Sequence, residues 1–590
     1  MVAVVATLVT MVPALTILAR FAFRDVLLTG DFAAIDARVR DVWSGTLPLL
    51  GPYSNGFSHP GPLYFYVLAP LDWLFGGASW TIVAGGALLH IVAIALAARL
   101  AWRRGGLGLT LLVLATFALS TLGATDRLLL DPWNPHIAMP FFVLFVLQVW
   151  SVMVRDRWQL LGAAIVGSFI VQAHIGYAPL VLAALAVATA CVLVDARRAG
   201  ESLGPWARPL VVSAACTFVL WLPPIVEQIT GHPGNVTRIA RYFRDSPDGT
   251  FGLRAGARTF AGLYRPVPGW LGGSDRFDLL SAPRQAGVVW LVVPGALLVA
   301  SLLVARRRGL HDALRLDALV AVLAVAGVLA LSRLKSGAWP YMSLWRIPLA
   351  ILVLVAFAWT LRRAWEHPPQ SARAVGIVLL GAVILGGVIP ITRSIAATPH
   401  VASLNDDAAA ILDQVRHDPP RGTVLVRTAG GALRGITESL VDVLDRDGVD
   451  VRVNAVRGLV WGKERVATPS QVRSVWIVTE SGVRGALLGR LAGARVRAHT
   501  TPLGAAEERE LTTLQLQVAA QLLDAGRPDL IEHLERADLT RALAAEVPGL
   551  DPATLARIAE LDATVDASSR CRCWVVSFPS DQLPGGLANP

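Results

Sequence analysis

The chain has 590 residues, of which 54% are hydrophobic and only 16% charged, with a mean hydropathy of +0.54. A soluble protein of this length carries about a quarter charged residues, so the composition excludes a wholly soluble chain. The formal charge of +10 would suit a nucleic-acid partner, but no nucleic-acid motif accompanies it. Arginine clusters such as Arg306-Arg307-Arg308 instead sit at helix ends, as in the cytoplasmic loops of membrane proteins.

Apolar runs of helix length recur up to about Ala396, and the remainder is ordinary in composition. The expected architecture is a polytopic α-helical membrane domain over 1–396, followed by a soluble α/β domain over 397–590. The spans fall near 2–22, 79–102, 106–124, 136–154, 158–173, 177–195, 207–229, 286–305, 313–333, 341–361 and 372–394. Each is close to the ~20 residues a bilayer needs, for a total of roughly eleven. Met1 leads into the first span with no basic stretch and no small-residue cleavage site, so that span reads as a retained anchor.

Charge orients these spans. With the N-terminus cytoplasmic, Arg103/Arg104, Arg155/Arg157, Arg197/Arg198, Arg306–Arg308 and Arg362/Arg363 all face the cytoplasm. The count holds only if 61–77, short and interrupted by Asp72, prolines and glycines, is no full span but a helix at the outer surface. The first loop (23–78), the long loop 230–285 and the C-terminal domain then lie outside the cell membrane's cytoplasmic face. Arg333, Lys335 and Arg346 also fall on that outer side, against the charge bias. They read as solvated or headgroup-facing residues, or as a clamp on a phosphate.

The first outer loop opens with Gly30-Asp31-Phe32-Ala33-Ala34-Ile35-Asp36. A carboxylate at the apolar–water boundary suits a general base that activates an acceptor hydroxyl, which makes Asp31 and Asp36 the catalytic candidates. The structural alternative for Asp31 is a helix cap after Gly30. His59 precedes Pro60-Gly61-Pro62, a turn that permits close backbone approach. His59 reads as a phosphate ligand, a proton donor or a loop anchor; Tyr64 and Tyr66 as interface anchors or a sugar subsite.

Asp131-Pro132-Trp133-Asn134-Pro135-His136 forms a rigid loop whose Asp131, Asn134 and His136 suit a sugar. Asp131 with Asp31 would offer oxygen ligands to a divalent cation, the one cofactor the sequence leaves room for. His174 and Glu227, near the outer ends of their spans, complete the candidate substrate-binding set, and Asn235-Val236-Thr237 matches a glycosylation sequon.

In the tail, strand-like runs at 423–427, 449–453, 474–479, 495–499 and 574–578 alternate with helical stretches near 405–417, 432–447, 507–525 and 527–562. Its expected role is structural or acceptor-binding. Of the four cysteines, Cys191 and Cys216 read as packing residues, and Cys571 and Cys573, two apart, as an unfavourable disulfide pair.

In order and topology, these residues resemble the GT-C superfamily of integral-membrane glycosyltransferases. The likeness is to the branch containing protein O-mannosyltransferases and the aminoarabinose transferases of lipid A. It runs through Gly30-Asp31-Phe32-Ala33, His59-Pro60-Gly61-Pro62-Leu63-Tyr64-Phe65-Tyr66, Leu74-Phe75-Gly76, Asp131–His136 and Pro223-Pro224-Ile225-Val226-Glu227-Gln228, over roughly 1–395. The whole chain is similar to actinobacterial membrane proteins of this type. Phe32 stands where the branch often carries Glu, and Gly61 where it carries Pro.

The resemblance implies a polyprenyl-phosphate sugar donor used on the outer face, with Asp31 as base and Arg333, Lys335 and Arg346 near the lipid phosphate. The acceptor would be an envelope glycan, lipid or protein. The sequence alone also admits a flippase of lipid-linked sugars, or a non-catalytic envelope scaffold.

Overall fold

In lipid every backbone N–H and C=O must find its partner within the segment, so the long apolar runs can only be helices. The computed structural model describes residues 1–272, 285–335, 339–365, 367, 369–398, 406–430, 435–568 and 570–582. It divides into two compact units, one of residues 1–25 and 42–401 and one of residues 26–41 and 402–590.

Nine described helices of the first unit are long and apolar enough to cross a membrane: Val2–Phe21, Trp80–Ala124, Asn134–Met153, Ile175–Ala199, Gly204–Thr230, Val288–Arg307, His311–Ser332, Pro340–Ala364 and Gln370–Ala397. Every one overlaps an expected span, but the count of eleven is not reached. The spans expected at 79–102 and 106–124 run together as one 45-residue helical stretch, broken at Gly106 by a φ of 60°. The span expected at 158–173 is the 15-residue helix Gln159–Ala173. At 1.5 Å per residue it is about 22 Å long, short of the ~30 Å hydrocarbon core. The 61–77 segment holds a 12-residue helix, Leu63–Leu74, too short to cross.

Asn134–Met153 is the unit's centre, with all 20 of its residues buried. It packs on Gln159–Ala173, Trp80–Ala124 and Ala178–Ala199. Charges at one end of the unit are matched. Arg104 pairs with Asp156, Arg315 with Asp195, and Arg363 with Asp312. His311–Ser332 starts at that end and delivers Arg333 to the other.

The second unit is α/β, as expected. The strands are β1 (Val424–Thr428), β2 (Val451–Arg452), β3 (Ser474–Thr479), β4 (Arg495–Thr500) and β5 (Cys573–Pro579). They form one sheet in the order β2-β1-β3-β5-β4. β1 runs parallel to β2 and β3, and β5 antiparallel to β3 and β4. Three helices, Ala505–Asp524, Ala537–Glu546 and Pro552–Ala567, supply a second layer whose core includes Leu511, Leu522, Leu543 and Ile558.

Two findings differ from the sequence reading. The division is not a single cut near 396: the first-loop segment 26–41 belongs to the α/β unit. Cys571 and Cys573 are joined as a disulfide, with Cα atoms 5.5 Å apart. That distance falls in the ordinary range for a disulfide.

Candidate functional site

In the membrane unit, a cavity of about 720 Å³ opens among the loops and helix ends. Its wall is largely apolar and aromatic, with Phe57, Tyr242, Phe243, Tyr341 and Trp345. Four of the expected site residues line it as well: His59, His174, Arg333 and Lys335. A short antiparallel bridge between Thr250 and Lys335 holds the Arg333–Lys335 segment in place. The N–H groups of Phe251 and Gly252 donate to the carbonyls of Leu334 and Ser332.

Lys335 is 8% exposed, and its ammonium donates to the Asp248 backbone carbonyl at 3.2 Å. Arg333 is exposed. Among the described residues neither cation has a carboxylate within ion-pair distance. Buried charges are normally paired, since desolvation is otherwise uncompensated. The cavity is therefore set up for an anion that arrives with an apolar body.

The His59 and His174 rings lie 4.6 Å apart between centroids. His59 Nδ1 accepts from the Ile175 N–H at 3.3 Å, and His174 Nδ1 from the Gly176 N–H at 3.2 Å. That arrangement leaves each ring's proton on Nε2. Burial, then the neighbouring His174, holds His59 well below the usual imidazole range; burial brings His174 down to about 4. Both are neutral donors at pH 7.

The other expected binding residues brace this region from behind. Tyr64 is fully buried and its hydroxyl donates to the Pro132 carbonyl at 2.7 Å. The Asn134 amide donates to the Ala173 carbonyl at 2.7 Å, and His136 Nδ1 lies 3.3 Å from the Asp131 carbonyl oxygen. Asp131 is buried, 3.3 Å from Arg127, and burial pushes its carboxyl up to about 6. Glu227 accepts from the Asn235 N–H at 2.8 Å. Arg346 is buried and donates to the Ser343 hydroxyl at 3.2 Å. None of these six lines the cavity.

Gly61 is explained by packing: a Cβ there would collide with the Gln172 amide oxygen. Asn235 is not an open sequon. It is 2% exposed, accepts from the Ser58 N–H at 2.9 Å and donates to the Ser58 carbonyl at 2.7 Å. Sequence reasoning missed this clamp and the aromatic wall of Phe57, Tyr242 and Trp345. A polar side chain that both donates to and accepts from a distant backbone leaves no local signal.

Asp31 and Asp36 belong to the α/β unit, on the helix Asp31–Asp41. Asp31 is exposed in the first turn, where the helix dipole favours a carboxylate. Gly30 before it takes a φ of 54° and lies so close to Gly435 that no Cβ would fit on the latter. Asp36 is the opposite case. It is fully buried, and one carboxylate oxygen takes both Arg40 and Arg446. Arg40 reaches on to Asp442 at 3.0 Å and Asp445 at 2.8 Å, and Arg465 joins Asp41 at 2.8 Å to Asp445 at 3.1 Å. This network fastens the loop helix to Ile436–Arg446. It is at odds with the catalytic role expected for Asp36, because no face of that carboxylate is open to a substrate.

Among the described residues the one group of three metal-type side chains is Asp407, Cys571 and Cys573. It includes neither Asp31 nor Asp131, and its two sulfurs are spent on the disulfide.

No protein-family model matches the chain. No curated protein matches it either. Among solved structures it is similar to ArnT from Cupriavidus metallidurans bound to undecaprenyl phosphate, with a TM-score of 0.52 and 13% identity, over 84% of this chain and 95% of that one. The apo state of the same ArnT gives a TM-score of 0.51 and 12% identity, over 83% and 95%. The archaeal oligosaccharyltransferase AglB from Archaeoglobus fulgidus, in complex with an inhibitory peptide and a dolichol-phosphate, aligns over 98% of this chain and 88% of its own, with a TM-score of 0.48 and 11% identity. The expected likeness to the GT-C membrane glycosyltransferases thus holds for the fold: a multi-pass helical membrane unit joined to a small α/β unit.

Proposed function

We propose that this chain is a membrane glycosyltransferase that moves a sugar from a polyprenyl-phosphate donor to a cell-envelope acceptor on the outer face. The observation that carries the reading is the cavity in which an apolar, aromatic wall meets Arg333 and Lys335, cations with no carboxylate in ion-pair distance among the described residues. A prenyl chain ending in a phosphate has the same two-part chemistry. One structure of like fold holds undecaprenyl phosphate, which agrees with that choice of ligand.

In the proposed reaction, an acceptor hydroxyl attacks the anomeric carbon of the donor sugar. The new C–O bond forms as the bond to the lipid phosphate breaks, and the phosphate leaves with the electron pair. Arg333 and Lys335 stabilise the charge that grows on the departing phosphate, commonly the largest single contribution in such a site. The neutral His59 and His174 supply N–H donors to the same anion. The acceptor's proton passes to a general base, the role that the sequence resemblance gives to Asp31. The N-terminus is assigned to the cytoplasm and the α/β unit to the outside on the arginine distribution.

The test is transfer in proteoliposomes, from radiolabelled polyprenyl-phosphate sugars to an envelope extract. Wild type should transfer label. Lys335→Met should bind the donor more weakly and transfer less. Donor binding and transfer unchanged in Lys335→Met would remove the cavity from the reaction.

A further inference from the structure

The ion-pair lattice of the α/β unit holds one more acid than base. Its five carboxylates, Asp36, Asp41, Asp442, Asp445 and Glu464, meet four guanidiniums, Arg38, Arg40, Arg446 and Arg465. The charges around it do not redress this. Arg457 pairs with Glu438, Arg416 with Asp447 at 3.7 Å and Arg452 with Asp450 at 2.7 Å. Lys463 is exposed and pairs with none of the five among the described residues. Arg427 of β1 lies on the strand face opposite Thr428, whose hydroxyl reaches Thr437 of the packed helix.

The surplus falls on Asp36 and Asp442. They are 0% and 2% exposed, and both grip the same two arginines. Asp36 Oδ2 takes Arg40 and Arg446 together. Asp442 meets Arg40 at 3.0 Å but Arg446 only at 3.8 Å. Asp36 is therefore the better-stabilised anion, and Asp442 the place for a proton. Two carboxylates this close and this deep do not both ionise in the ordinary range, because their charges repel where water cannot screen them. Burial, then the Asp36 charge, push the Asp442 carboxyl well up; only Arg40 and Arg446 oppose them. Protonated, Asp442 has an O–H for Asp36, which lies within its hydrogen-bond reach.

We propose that Asp36 and Asp442 hold one proton between them, and that its loss to solvent in alkali loosens the helix Asp31–Asp41 from Ile436–Arg446. The lattice is then a pH-sensitive latch on the segment 26–41. Linkage gives the direction. A carboxyl whose folded value is raised contributes stability that is whole below its unfolded value and is lost as pH rises toward the folded one. The latch is thus firmest in acid and weakens toward alkali. It holds the helix that carries Asp31, but it stands without the transfer reaction.

The experiment is hydrogen–deuterium exchange, read by mass spectrometry, on the full chain in nanodiscs at about pH 6 and about pH 9, corrected for the intrinsic pH dependence of exchange. In wild type, protection of residues 26–41 should fall roughly tenfold or more over that interval, while β3 and β5 keep theirs. Asp442→Asn, a neutral isostere of the protonated acid, should fold and hold 26–41 as firmly in alkali as at the lower pH. Asp36→Asn should loosen the segment at both. Wild-type protection of 26–41 that does not change with pH would overturn the proposal. So would an Asp442→Asn chain that unfolds, that loses this protection at about pH 6, or that keeps the wild-type pH dependence.

Discussion

Two groups of cations, one in each unit, keep opposite company. In the α/β unit, Arg38, Arg40, Arg446 and Arg465 each touch at least one carboxylate, and the helix Asp31–Asp41 is held by that lattice. In the membrane unit, Arg333 and Lys335 line a cavity with no carboxylate beside them among the described residues. The first arrangement uses charge to build a scaffold. The second leaves charge for something the chain does not itself provide. Asp36 and Asp31, five residues apart on one helix, differ in burial: Asp36 is 0% exposed and ion-paired, and Asp31 lies at the surface.

The contrast is broken most severely at Asp36. Asp36→Asn leaves Arg40 and Arg446 facing an uncharged amide in a buried site, and should destabilise the α/β unit by about 3–5 kcal/mol, read by denaturant unfolding. A loss below about 1 kcal/mol would mean that the lattice contributes no more than an exposed ion pair. In the membrane unit, removing a charge should cost function and spare the fold. Lys335→Met should lower transfer by about 10²–10³-fold with little change in thermal unfolding.

Acid provides a third probe. Burial alone would raise the Glu508 carboxyl, but the His499 ring 3.4 Å away and Arg572 hold it down at about 2, against an ordinary value of 4.5. A depressed carboxylate contributes stability that is present above the unfolded value and lost as pH falls toward the folded one. The α/β unit should lose about 3 kcal/mol between pH 4.5 and 2, and Glu508→Gln should flatten that slope. The smallest effect is expected at Asn235. Asn235→Ala removes the Ser58 clamp and should cost about 1–3 kcal/mol, and Asn235 should carry no glycan in a mass spectrum.

Much of the fold was legible because its signals are local. All five strands fall within two residues of the alternating runs in the tail, and the apolar segments of the membrane part all became helices. Arg333 and Lys335 stood out because they oppose the charge bias of the side to which the sequence reading assigns them. What stayed hidden depends on distance in the chain. Asp36 and Arg446 are 410 residues apart, so nothing near 26–41 announces that this loop belongs to the α/β unit. Tyr64, Asn134 and Glu227 were read as candidate substrate ligands, Tyr64 alternatively as an interface anchor, from residue type and position on the outer side. Their bonds to Pro132, Ala173 and Asn235 make them braces, a distinction set by packing rather than composition.

The most direct test of the account is label transfer from a polyprenyl-phosphate sugar by wild type and by Asp31→Asn, with donor binding measured on the same proteoliposomes. The account predicts that Asp31→Asn binds donor as wild type does and transfers at least 10²-fold less. Equal transfer by the two proteins would contradict it.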